Sequence, residues 1–256
     1  MDCDNPANTA TLAEPRHKLL GASNNTTPLI ICFHGSGESC EPSWSKLAAL
    51  LGVASRVLLF ERGPLNPKPE QATVQLLDFL KSQNLPGPYV LIAHSYGGAF
   101  ARMFMHHALK SVAGAVLVET GQEGGLDAKI AGSQIAKCVL KEKPLSVIRG
   151  NSFIAKMKSL ENSEKAAETE QQKNALEMQR TLLDASDKED ERMKKDQLRL
   201  SKNARYVHIP DCGHHVVRDR PDVVAHEVAW VLGSVSATKQ SSAWRRLAAK
   251  LDGVLN

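Results

Sequence analysis

The stretch "LIAHSYGGAF" (Leu91–Phe100) sets an apolar run against an abrupt break. Val90, Leu91 and Ile92 read as a strand, and a helical pattern begins at Gly97. A strand that passes directly into a helix must turn within about two residues, and the residue at the apex takes a strained backbone conformation. Such a turn has room only for small side chains two positions before and two positions after the apex. Ala93 and Gly97 meet that demand around Ser95, and Gly98 allows the helix to pack closely on the sheet. Small-x-Ser-x-Gly is a weak signal by itself, because ordinary strand-to-helix turns share it. The surrounding chain has to decide its meaning.

Outward from this turn, short apolar runs alternate with helical spacing. "PLIICFHG" (28–35), "RVLLFERG" (56–63), "PYVLIAHS" (88–95), "VAGAVLVET" (112–120), "PLSVIRG" (144–150) and "RYVHIPD" (205–211) are nearly continuous in apolar character. Strands covered on both faces have that composition. Residues 43–53, 70–84, 97–111 and 221–233 carry helical spacing between them. The alternation predicts an α/β fold with a mostly parallel central sheet and helices on both faces. Ser95 then falls at the carboxyl end of a strand, where open sheets of this kind bind ligands.

The chain has 256 residues, 42% hydrophobic and 23% charged, with a net charge of +4. Lysine and arginine are interleaved with acids, so no nucleic-acid surface is indicated. Cys3, Cys32, Cys40, Cys138 and Cys212 are scattered, with no C-x-x-C pair, and read as free thiols in a reducing compartment. No Cys/His/Asp/Glu spacing suggests a metal, and no cofactor is expected. The first residues lack an apolar secretory core, and no run approaches the roughly 20 apolar residues of a membrane span. The expectation is a cytoplasmic protein, monomer or homodimer. Residues 1–27 read as an arm with one edge strand around Leu19-Leu20, 28–235 as the main domain, and 236–256 as an amphipathic helix.

Two further motifs place chemistry near Ser95. An early strand ends in His34-Gly35-Ser36-Gly37, and a late one is followed by Gly213-His214-His215 before a helix opened by Pro221. A tetrahedral intermediate carries its charge on one oxygen, which two backbone N–H groups must already face. Those of Tyr96, directly after the serine, and of Ser36 suit that task. Gly35, Gly37 and His215 are expected to line the binding site. A histidine on the loop after the last strand can reach the turn and take the serine proton.

With "FHGSGES", "FERGPLN", "GPYVLIAHSYGGAFARMF", "VAGAVLVET" and "GHHVVRDRPDVV" together, the chain resembles the α/β-hydrolase superfamily from about Pro28 to Leu232. The likeness is to its small, single-domain esterase-like branch. The resemblance implies Ser95 as nucleophile within an elbow and His214, which directly follows the glycine, as base, with His215 as the alternative. It implies an acyl-serine route for a carboxylic ester, thioester or lactone. Two other readings stay open: a non-catalytic ligand-binding module of the same fold, and a lyase of the hydroxynitrile type. Most members carry the acid after the strand matching "PLSVIRGNS", where this chain has Asn151. A subset places it one strand earlier, and "AVLVET" supplies Glu119 there. His94 is expected to pack beneath the elbow, and Asp211 to shape its own turn.

One segment breaks the rhythm. Residues 152–203 are helical in composition and densely charged, with "ASDKEDERMKKDQ" at their centre. They read as a helical excursion or cap, with 122–142 as the other candidate cap. Phe153, Ile154, Met157, Leu160, Leu176, Leu182 and Leu183 form its sparse apolar stripe, and Asp184, Asp187 and Asp190 are expected to be solvated. Ser39, Trp44, Tyr96, Phe153, Ile154 and Met157 are the expected pocket lining.

Overall fold

In the computed structural model, residues 16–21, 27–62, 67–121 and 124–235 are described. The predicted C-terminal helix and most of the N-terminal arm lie outside them. Among the described residues, seven strands form one sheet: β1 (His17–Leu20), β2 (Leu29–Phe33), β3 (Val57–Phe60), β4 (Tyr89–His94), β5 (Val112–Val118), β6 (Leu145–Arg149) and β7 (Ala204–His208). Their order is β1-β3-β2-β4-β5-β6-β7, with β1 antiparallel to β3 at one edge and every other pairing parallel. The expected edge strand at Leu19-Leu20 is therefore β1.

The continuous apolar runs are explained by burial on both faces. Because side chains alternate across a strand, Ile30, Ile92 and Val116 enter one core while Ile31, Leu91, Ala93 and Leu117 enter the other. The first core is closed by α1 (Ser45–Gly52) and by α8 (Pro221–Val235), through residues such as Leu47, Leu51, Val224 and Val228. The second is closed by α2 (Pro69–Ser82) and α3 (Gly97–Ala108), through Leu76, Leu80, Phe100 and Phe104. Trp44, expected at the pocket, is 0% exposed and belongs to the first core. It precedes the helix that covers that face, so its ring turns inward with Leu47 and Leu51.

Beyond the core pattern lie α4 (Ala128–Ala136), α5 (Ile154–Ala166), α6 (Glu170–Asp196) and the short α7 (Val216–Asp219). The excursion consists of α5 and α6. Thr169 and Gln172 form a reciprocal cap at the start of α6, satisfying two of its otherwise unpaired N–H groups. Arg180 grips Glu164 with two hydrogen bonds and joins the two helices.

The expected apolar stripe is largely absent. Leu160 is the one buried residue of α5, while Ile154 and Leu182 are exposed. The buried residues of α6 are Asp190 and Lys194, both charged. The expectation of solvated aspartates thus fails at Asp190, and Asp187 is partly covered and bound to Arg149. The receiving surface explains this. The carboxyl ends of β5 and β6 present Glu119 and Arg149, so α6 docks through charge, where the sequence pattern suggested hydrophobic contact.

Little apolar burial holds α5 and the first half of α6, and local stability follows such contacts. Amide hydrogen exchange over residues 154–181 is expected to be at least ~100-fold faster than in β4 and β5. Exchange over 190–197 should be slower than over 154–181. Equal protection throughout α6 would contradict this two-part anchoring.

Candidate active site

The elbow is built by steric exclusion. Ser95 has φ of 50°, in the left-handed region that side-chain-bearing residues seldom occupy. Its N–H donates to the carbonyl of Val118 at 3.0 Å, and its own carbonyl accepts from Gly98 N–H at 2.9 Å. The chain can make this turn because position 97 lacks a side chain. A Cβ on Gly97 would lie 2.1 Å from the Phe33 carbonyl oxygen. Gly97→Ala is therefore expected to lose ~3 kcal/mol or more of stability, since backbone on both sides would have to move. Urea unfolding measures this, and an unchanged midpoint would exclude the close approach.

Glu119 occupies the corresponding perch one strand away. Its φ is 54°, and its N–H donates to the Ile148 carbonyl at 2.9 Å. In the parallel register His94 faces Val118, so Ser95 and Glu119 follow facing residues of β4 and β5. The Glu119 carboxylate, fully buried, lies 3.0 Å from Nδ1 of His214. Its Oε1 accepts the Gly150 N–H at 2.7 Å, and its Oε2 accepts the Ser152 hydroxyl at 2.5 Å. Burial pushes its pKa up, but the bonds from His214, Ser152 and Gly150 and the nearby Lys194 charge outweigh this and hold it at about 2. Ser152 also lies 3.2 Å from His214 Nδ1.

Asn151 turns elsewhere. Its side chain donates to the Pro210 carbonyl and accepts from Phe153 N–H, which makes it a brace for the turn after β6. Asp211 lies near Arg220 with its side chain largely exposed.

A second carboxylate, Glu38, draws the neighbouring loops together. It accepts Gly35 N–H at 3.2 Å, and its oxygens lie 3.2 Å from Nδ1 of both His94 and His215. Burial raises its pKa, yet the His94 contact and the other partners bring it down to about 2. The other nitrogen of His94 meets the His214 carbonyl at 2.9 Å, so this buried histidine, packed under the elbow as expected, also fixes the backbone of the following loop. Gly35 and His215 consequently share a partner in Glu38. Gly37, with φ of +65°, supplies the left-handed bend of the early loop.

Arg62 sets the direction of that loop. Its guanidinium donates to the carbonyls of His34 at 2.6 Å and Gly35 at 2.7 Å while lying 4.0 Å from the Phe100 ring centroid. In a trans peptide the N–H points opposite the C=O. Holding the Gly35 carbonyl thus aims Ser36 N–H away from Arg62. Tyr96, the other expected donor, sits at the N-cap of α3, where the helix dipole favours negative charge. Gly125 packs over it, since a Cβ there would lie 2.7 Å from the Tyr96 hydroxyl.

Glu38, Arg62 and Ser152 were not legible as site residues. Each lies inside a quoted motif ("FHGSGES", "FERGPLN" and "PLSVIRGNS"), but nothing local to those motifs marks the contact it makes.

Comparison with known proteins agrees with this architecture. A family model described as "Alpha/beta hydrolase family" matches residues 30–227. The "Probable transporter efuK" of Hormonema carpetanum is 25% identical over 282 aligned positions; the match takes in 82% of this chain but 40% of that protein's length. A serine hydrolase involved in carbazole degradation superposes with a TM-score of 0.57 at 14% identity, covering 86% of this chain and 94% of the other. The enol-lactonase from Burkholderia xenovorans gives 0.53 at 15% identity, with 85% and 96% covered. A thermophilic esterase from Thermogutta terrifontis gives 0.54 at 18%, with 89% and 96% covered. At these identities the solved structures bear on the fold. With that fold and the family match over most of its length, the chain belongs to the alpha/beta hydrolase family.

Proposed function

We propose that the protein is a serine hydrolase that cleaves a carboxylic ester, thioester or lactone of a small organic molecule. The observation that carries this reading is the 3.0 Å contact between His214 Nδ1 and Glu119, with the strained Ser95 elbow one strand away. A buried carboxylate on Nδ1 keeps the ring proton there and leaves Nε2 as the base. The fold shared with an enol-lactonase and an esterase is compatible with this reading.

In this mechanism Ser95 Oγ attacks the carbonyl carbon as its proton passes to His214 Nε2. Glu119, held ionised, stabilises the imidazolium. The oxyanion is stabilised in this reading by the N–H groups of Ser36 and Tyr96, a role that the Arg62 bond to the Gly35 carbonyl and the position of Tyr96 at the start of α3 support. Collapse breaks the bond to the leaving oxygen or sulfur, which takes the proton from His214. Water then attacks the acyl-serine by the same route, giving the carboxylic acid and free Ser95.

A fluorophosphonate probe tests the first step and short p-nitrophenyl esters and thioesters the whole cycle. Stoichiometric labelling with multiple turnovers is expected. Labelling without turnover would instead favour a ligand-binding role, and failure to label at all would overturn the serine mechanism.

A further inference from the structure

The end of α6 touches three consecutive residues after β5. Lys194 places its ammonium 3.7 Å from Glu119 Oε1. Gln197 accepts the Thr120 hydroxyl at 2.8 Å and donates to the Thr120 carbonyl at 2.9 Å. At Gly121, with φ of +112°, a Cβ would meet the Gln197 amide at 2.6 Å and the Met193 carbonyl at 3.4 Å. One helix turn therefore clamps the backbone that carries the buried carboxylate.

Lys194 is itself 2% exposed and shared. Its ammonium also pairs with Asp190, which takes Arg149 Nε at 2.8 Å. Arg149 in turn binds Asp187. Charges of alternating sign run from Asp187 through Arg149, Asp190 and Lys194 to Glu119, which contacts His214. A lysine buried at such cost is kept only where carboxylates surround it.

We propose that Lys194 is a positioning residue for the acid of the site, and that α6 sets the charge seen by the base through it. This rests on the reading of Ser95, His214 and Glu119 as a triad. The ammonium compensates part of the Glu119 charge, which keeps the neutral imidazole available to accept the serine proton. The other groups facing this cluster and the His214 ring include Ser152 and Gly150 N–H from the turn after β6, Cys212 from the turn after β7, His208 and Tyr206 of β7 near Arg149, and Glu191 of α6, together with the rings of His94 and His215, which lie 4.9 and 5.6 Å from that of His214 between centroids and both contact Glu38. None of them places a second cation against Glu119 in these contacts.

The sign of the effect follows from charge. Removing the cation leaves Glu119 and Asp190 less compensated, which favours imidazolium and moves the acid limb of reactivity to higher pH. Removing the Asp190 charge does the reverse.

The test is the second-order rate of fluorophosphonate labelling of the full chain between about pH 5 and about pH 9, an interval that brackets ordinary histidine titration. Lys194→Met should raise the midpoint of the acid limb by roughly half a unit to one unit, a ~3- to 10-fold loss of rate on that limb. Asp190→Asn should lower it, and Lys194→Arg should restore the wild-type midpoint. If Lys194→Met does not fold, the downward shift in Asp190→Asn still decides the matter. A lowered plateau with unmoved midpoints in the folded variants would overturn the role of Lys194. Glu119→Gln is the control that separates the two claims. If it labels at the wild-type rate the triad reading itself falls, whereas an impaired Glu119→Gln beside unshifted Lys194→Met and Asp190→Asn removes this inference alone.

Discussion

Ser95→Ala is expected to abolish fluorophosphonate labelling and to lower ester turnover by at least ~10^4-fold, with the fold intact. In the proposed mechanism the hydroxyl is the group that forms the covalent bond, while the elbow itself is held by backbone contacts. The turn is made by the backbone bonds of Ser95 to Val118 and Gly98 and by the missing side chain at Gly97. Alanine tolerates the positive φ about as well as serine does, so the melting temperature should change little. His214→Ala should cost a similar factor, and the double variant should be scarcely worse than either single one, because the two residues act as a unit. His215→Ala gives the contrast. Its ring faces Glu38 and not Glu119, so a loss of less than ~10-fold is expected there. Labelling of Ser95→Ala at the wild-type rate, or a greater loss from His215→Ala than from His214→Ala, would reassign the chemistry.

Glu119→Gln should fold and lose about 10^4-fold in turnover, for a reason visible in the bonding. Both carboxylate oxygens only accept: one from Gly150 N–H, the other from Ser152 and the His214 ring. An amide has one oxygen, so its NH2 group must meet one of these donors. Facing His214, it drives the proton off Nδ1 and selects the wrong tautomer; facing Gly150, it opposes an N–H with an N–H. Stability should also respond to pH. The Glu119 pKa is depressed from 4.5 to about 2, so the stability it contributes is present above the unfolded value and lost as pH falls through the folded one. Between about pH 4.5 and about pH 2 the wild type should therefore lose melting temperature more steeply than Glu119→Gln. Glu38, also held at about 2, adds the same trend to both proteins and cancels in the comparison. Parallel curves would mean that Glu119 is not held as these contacts require.

The sheet was readable because burial on both faces writes long apolar runs into β2 through β6. The elbow was readable because its steric demand falls on Ala93 and Gly97, which are local to Ser95. Glu119 could be singled out only together with the amide at Asn151, since a carboxylate at a strand end has many ordinary uses. What stayed hidden depends on contacts distant in sequence. Glu38 meets His94 across 56 positions and Arg149 meets Asp190 across 41, and no local periodicity encodes either meeting. In α6 the pattern misled, because charged residues on a helix are ordinarily solvent-facing, and here two of them, Asp190 and Lys194, are the buried docking face.

The three contacts of Glu38 carry a consequence for engineering. Gly35 belongs to the loop after β2, His94 to the end of β4, and His215 to the loop after β7, yet a single side chain fastens all three. Exchange of the 34–41 loop with that of a homologue would import a partner for histidines that stayed behind, and exchange of the 213–215 turn would strand the carboxylate. The three segments are thus coupled through one side chain. Chimeras that trade these segments jointly, with position 94 included, should retain their architecture, while piecemeal grafts should yield soluble but misaligned proteins.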